Sequence, residues 1–225
     1  MKQLLKFGLM FTIATSGLMF TACEGEDGDP GAVGPQGEKG DKGDTGEQGL
    51  GFDEAVQYGN IAVQFKGTRA DNVTFNKTID FKFCPTGPDA SYYSYASPYQ
   101  TEGGTSVTEF RIERFNSVVV SDDSEGGSNS SIRFRFNKYE EEESYIDLDL
   151  NVAIVSDDMK FFTLWDDYSE ITFSEVVSEY SFNSVTSELK FKFHLIVPEE
   201  SNSTGHDLEI TADVNTKVLQ YIYVD

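Results

Sequence analysis

From residue 52 onward the chain alternates apolar and polar side chains one for one. SIRFRFNKY places Ile132, Phe134 and Phe136 on one side and Arg133 and Arg135 on the other, and YIDLDLNVAIV sets Ile146, Leu148, Leu150, Val152 and Ile154 against Asp147, Asp149 and Asn151. ELKFKFHLIV repeats the pattern with Leu189, Phe191, Phe193, Leu195 and Val197, and DLEITADV with Leu208, Ile210, Ala212 and Val214. VTFNKTIDFKF carries Phe75, Ile79, Phe81 and Phe83 on one parity, interrupted by Lys77. A period of two marks strands with one face buried, because successive side chains of a strand point to opposite faces. Less regular runs at 61–65, 107–112, 115–120, 161–165, 171–177 and 218–224 add further strands, separated by turn-forming stretches at 86–88, 121–131 and 198–206. The expectation is an all-β domain over residues 52–225, an antiparallel β-sandwich or flattened barrel.

The first 51 residues follow other rules. Lys2 and Lys6 precede an apolar stretch at 7–20 that is broken by Thr12, Thr15 and Ser16. It is too short to cross a hydrocarbon core of ~30 Å comfortably as a helix, so residues 1–22 read as a signal peptide. Behind it glycine recurs at every third position, Gly25, Gly28, Gly31, Gly34, Gly37, Gly40, Gly43, Gly46 and Gly49. Period three is required where three polyproline-like chains wind together and every third residue meets a crowded axis that admits no side chain. Only Pro30 and Pro35 stiffen the tract, whereas Lys39-Gly40-Asp41 and Lys42-Gly43-Asp44 offer interchain ion pairs. The register ends at Gly49-Leu50-Gly51, which divides the chain into a leader (1–22), an N-terminal pair (23–24), a stalk (25–51) and the β domain (52–225).

Phe20-Thr21-Ala22-Cys23 resembles a bacterial lipobox, with Phe20 where the usual pattern has leucine, and the triplets resemble the collagen-like G-X-Y repeats of bacterial surface proteins. Glu24, Glu26, Asp27 and Asp29 look like the acidic surface-export signal of Bacteroidota lipoproteins. The resemblance implies lipidation of the Cys23 thiol with diacylglyceryl and palmitate-type chains, and cleavage just before it. It also implies a lipid anchor in the outer membrane facing the cell exterior, and a collagen-like stalk that joins a β-rich head into a homotrimer.

Composition narrows the partners. The formal charge of -22 arises from 17 basic and 39 acidic groups, and loss of Lys2 and Lys6 with the leader leaves -24. Such a charge repels phosphate backbones, so nucleic acid is excluded as a partner. With Cys23 lipidated, Cys84 stands alone, which excludes a disulfide scaffold; the expectation is a buried thiol behind Phe81 and Phe83, the alternative being a bond to Cys84 of a second copy. His194 falls on the polar side of a strand and His206 in a turn, neither at a zinc spacing. The acidic runs at 122–125, 140–143, 157–158 and 166–167 match no EF-hand loop, and Ca²⁺ is the one cofactor they offer.

No catalytic motif is present, and the chain is expected not to be an enzyme. A secreted glycoside hydrolase would need two carboxylates fixed across a cleft, which dispersed turn acids do not establish. The segment DASYYSYASPYQ differs: Tyr92, Tyr93, Tyr95 and Tyr99 lie among serines with no burial pattern. Tyrosine and serine together make adaptable contact surfaces, so these four residues are the candidates for binding an extracellular glycan or protein. The functional expectation is a surface lipoprotein whose stalk displays a structural or adhesive head, the alternative being a glycan- or protein-binding module.

Overall fold

The structure, a computed structural model, describes residues 52–118 and 130–223; the leader, Cys23, the glycine tract and the 122–125 acids lie outside the described residues. A short helix, α1 (Phe52–Val56), leads into β1 (Gly59–Thr68) and β2 (Thr74–Phe81). A 3-10 turn (Gly87–Asp89) runs into α2 (Ala90–Tyr93), followed by β3 (Ser94–Gln100), β4 (Ser106–Phe115), β5 (Ser131–Tyr139), β6 (Tyr145–Val155) and β7 (Phe161–Thr172). The turn α3 (Phe173–Val176) then passes the chain to β8 (Val177–Asn183), β9 (Glu188–Val197), β10 (Leu208–Lys217) and β11 (Leu219–Gln220).

These strands form two packed sheets, a five-stranded one ordered β2-β1-β10-β9-β8 and a six-stranded one ordered β11-β3-β4-β5-β6-β7. The domain is therefore all-β and sandwich-like, antiparallel except where β11 pairs in parallel with β3. The β8–β9 turn is tied to the β3 edge of the larger sheet, where Val218 N–H donates to Ser187 O at 3.0 Å and Gln220 Nε2 to Ser187 Oγ at 3.0 Å. At the other end of β9, the loop into β10 reaches β7, with Ser203 Oγ donating to Thr163 O at 3.3 Å. The strands of the smaller sheet thus run from one edge of the larger sheet to the other, crossing its strands in the manner of an orthogonal sandwich.

The alternation places the expected residues inside. Phe134 meets Phe191 and Phe193 edge-on with ring centroids at 5.4 and 5.1 Å, and Phe110 stacks on Phe136 at 4.8 Å while meeting Phe182 at 5.0 Å. Phenylalanine suits this gap because two facing sheets lie ~10 Å apart, and paired rings fill it with favourable edge-to-face contacts. Cys84 is buried and free, its N–H donating to Ala55 O at 2.8 Å, and burial pushes its thiol pKa up. Several boundaries differ from the sequence reading. The 107–112 run and Phe115 belong to one strand, β4; the 161–165 and 171–172 runs merge into β7; and the 218–224 run contributes only the two residues of β11.

Two polar clusters hold the sheets together. At one, the buried Arg69, in the β1–β2 turn, donates from Nε and Nη2 to Asp71 at 2.9 and 2.7 Å, and from Nη1 and Nη2 to Asp158 at 2.8 Å each. It also donates to Ser156 Oγ, so that the β1–β2 turn is bolted to the β6–β7 hairpin. Hydrogen bonds from Arg69 hold both carboxyls far below the usual carboxylate range, helped at Asp71 by Lys160 and at Asp158 by Ser156. Because the folded values lie below the unfolded ones, this contribution is complete above about pH 4 and is lost as pH falls through the folded values. Melting temperature is expected to hold between about pH 5 and 7 and to drop below about pH 4, with a shallower drop in Arg69→Met. Thermal melts across pH check this; parallel acid limbs in the two proteins would refute it.

The second cluster surrounds Arg114, which is fully buried. It sits on the inward parity of β4 after Phe110 and Ile112, where a cation is unexpected. Its guanidinium donates to Glu113 O at 2.8 Å, Tyr58 O at 3.1 Å, Lys217 O at 3.1 Å, Ser94 Oγ at 3.0 Å and Thr216 Oγ1. No carboxylate among the described residues pairs with it, and burial brings its pKa down to about 10, so it remains charged at neutral pH. One side chain thereby gathers the start of β1, the start of β3 and the end of β10.

Candidate functional site

The larger sheet's outer face is built from the side chains that the alternation turns away from the core. Cross-strand register lines up Tyr95 with Arg111 and Arg135, Ser97 with Glu109 and Asn137, and Arg133 with Glu113 and Asp149. The middle of this face is a ladder of ion pairs. Arg133 Nε lies 3.1 Å from Glu113, Arg133 Nη1 3.2 Å from Asp149, and Arg135 Nη2 3.7 and 3.6 Å from Asp147 and Asp149. Asp149 lies opposite Asp167 of β7 in the cross-strand register; burial first, and that neighbour second, raise its pKa against the pull of Arg133 and Arg135.

At the β3 edge the face gives way to a groove of about 500 Å³ lined by Tyr92, Tyr95, Glu109, Leu219, Tyr221 and Tyr223. Its walls have local causes. Tyr93 packs inward against Phe115 at 5.6 Å and against Tyr92 at 5.1 Å, which plants α2 and turns Tyr92 outward. Arg111 then lies over the Tyr92 ring at 3.9 Å, a cation–π contact that fixes its plane. On the other wall the parallel pairing of β11 with β3 continues through Tyr221 N–H to Ala96 O at 2.9 Å. Tyr221 and Tyr223 meet edge-on at 4.8 Å, and Ser97 Oγ lies 3.4 Å from the Tyr223 hydroxyl.

The floor carries one oriented carboxylate. Tyr95 Oη donates to Glu109 Oε1 at 2.7 Å, and burial followed by this bond pushes the Tyr95 pKa up to about 12, so it stays a donor at any ordinary pH. Exposed rings on both walls, 59% of Tyr92, 57% of Tyr221 and 62% of Tyr223, flank this acceptor. Such a site can stack a flat apolar face while accepting a hydrogen bond from hydroxyl or amide groups.

Of the four tyrosines expected to bind, Tyr92 and Tyr95 line the groove. Tyr93 does not, being spent on anchoring α2, and Tyr99 lies further along the outer row of β3, half-buried beside Tyr139, with its pKa raised by burial and by that neighbour. Tyr221, Tyr223 and Glu109 were not among the expected residues. The signal for the first two was present in YIY, an aromatic alternation at the end of the chain.

The acidic pairs considered for calcium are dispersed or committed. Asp158 is held by Arg69, Asp157 by Lys77, and Asp166 and Asp167 point to opposite faces of β7. Among the described residues no group of three or more His, Cys, Asp and Glu is placed to hold a metal ion. Asp149 and Asp167 are cross-strand neighbours on the outer face, with Arg133 and Arg135 ion-paired to Asp149, and so do not stand on opposite sides of a cleft. His194 is exposed on the smaller sheet, 3.3 Å from Glu209. Compared with protein-family models, with curated proteins and with solved structures, the chain finds no match.

Proposed function

We propose that this chain is a surface-displayed binding module, anchored through lipid on Cys23, raised on a collagen-like stalk of three copies, and binding neutral glycans in the tyrosine groove of its head. The observation that carries the reading is the pairing of exposed Tyr92, Tyr221 and Tyr223 rings with a Glu109 carboxylate held in place by Tyr95. Sugar rings offer apolar C–H faces and hydroxyl donors at fixed spacing, which matches stacking surfaces beside an oriented acceptor. The strong negative charge favours uncharged over acidic sugars.

The mature chain is expected to retain neutral glycans on an array, and Tyr92→Ala combined with Tyr221→Ala to weaken that binding about tenfold or more with the far-ultraviolet spectrum unchanged. Unaltered binding in this variant would remove the groove from the reading. Capture of an extracellular protein in place of any glycan would make the head a protein-binding module instead.

A further inference from the structure

A second opening lies at the opposite edge of the larger sheet. β8 covers β9 only as far as Phe193, so Leu195 and Val197 extend beyond their neighbour on that side and face β7 across the mouth of the sandwich. The mouth encloses about 500 Å³, with Ile171, Leu195, Val197 and Pro198 as apolar walls and Asp166 and Tyr168 among its polar lining. β7 is bent there: its register against β6 shifts between Ile146 and Leu148, and Glu170 takes a φ of 56°. Bulges of this kind re-aim side chains at the rims of sheets.

Asp166 and Tyr168 are the polar residues of this mouth that β7 turns inward. Asp166 lies on the inward parity of β7 with Phe162, Leu164 and Tyr168. Its Oδ2 and the Tyr168 hydroxyl are both buried, and the phenol lies near enough to donate to the carboxylate, although out of good alignment. No described cation pairs with Asp166, and burial raises its pKa. One phenol leaves most of a carboxylate's roughly four acceptor sites unused, and a cationic donor in the mouth would fill them. Ca²⁺ or Mg²⁺ would need six or more oxygens at one point, and among the described residues no group of three or more His, Cys, Asp and Glu is placed to hold a metal ion.

We propose that the mouth between β7 and β9 is a second binding site, which takes a primary ammonium group carried on an aliphatic stem, such as a lysine side chain of a partner polypeptide. An ammonium presents several donors to the Asp166 oxygen and the Tyr168 hydroxyl and neutralises the desolvated carboxylate, while its methylenes lie along Ile171, Leu195 and Val197. A chain of charge -22 favours a cationic partner over long range.

The test uses the mature chain labelled with ¹⁵N and two probes, Nα-acetyl-lysine methylamide and its uncharged counterpart Nα-acetyl-norleucine methylamide. Saturable amide shifts are expected at 165–171 and 195–201 with the lysine probe, at least about tenfold tighter than with the norleucine probe. Asp166→Asn should lose that preference and Tyr168→Phe should weaken the binding. Asp166→Asn should also melt no lower than the parent, because it removes a desolvated charge, so a lost signal cannot be put down to unfolding. Equal binding of the two probes, shifts scattered over surface acids, no saturation, or an undiminished signal in Asp166→Asn would each overturn the proposal.

Discussion

Arg114→Met is expected to destabilise the head by about 3 kcal/mol, with Arg114→Lys recovering only part of the loss. Two effects oppose each other. Removing a buried cation with no counter-ion relieves its desolvation, the same burial that brings its pKa down to about 10. Against this, five donations into the backbone and hydroxyls of four segments disappear. Some acceptors keep other donors: Tyr58 O receives Lys217 N–H at 2.8 Å, and Lys217 O receives Ser94 Oγ at 2.9 Å. Glu113 O has no such second donor among the bonds described, and an orphaned buried carbonyl costs ~1 to 3 kcal/mol. The side chain also fills the volume between the starts of β1 and β3 and the end of β10, so its loss adds a packing defect. Lysine keeps the charge but not the planar fork, and cannot reach all of these acceptors together. Urea titration of the parent and both variants checks the order; a methionine variant as stable as the parent would show that desolvation outweighs the network.

Cys23→Ala is expected to abolish membrane retention altogether while leaving the β domain folded. At ~0.8 kcal/mol per buried methylene a single acyl chain anchors marginally, and the two or three chains of a bacterial lipoprotein anchor almost permanently. Among the described residues no helix is long and apolar enough to cross a membrane. Metabolic labelling with a fatty acid, followed by fractionation, reads both effects in one experiment. A labelled or membrane-bound alanine variant would assign the anchor to another residue.

Much of the fold was legible because burial in a sheet writes itself into alternation. The runs around Phe134, Leu148, Phe191 and Ile210 became β5, β6, β9 and β10 with the expected residues inward. β7 was legible only in part, since its inward row passes from Phe162 and Leu164 to Asp166 and Tyr168, and a polar residue facing an open mouth looks like the end of a strand. Arg114 shows the same limit: its inward parity was visible, but what makes a cation tolerable there is a set of acceptors as far as 103 residues away in sequence. The groove was half legible for a related reason. Local composition flagged Tyr92 and Tyr95, whereas Tyr221 and Tyr223 join them only through the parallel pairing of β11 with β3, which no local pattern encodes.

The position of β1 has a mechanical consequence. The chain enters the β domain through α1 and passes directly into a strand flanked on both sides, by β2 and by β10. Were the domain tethered through its N-terminal side and bound to a ligand as proposed above, a pull along β1 would load both ladders in shear, so that many bonds must yield together and cannot open one after another like a zipper. The Cys84 N–H bond to Ala55 O and then Arg114, gripping Tyr58 O just ahead of the strand, lie where such tension would arrive.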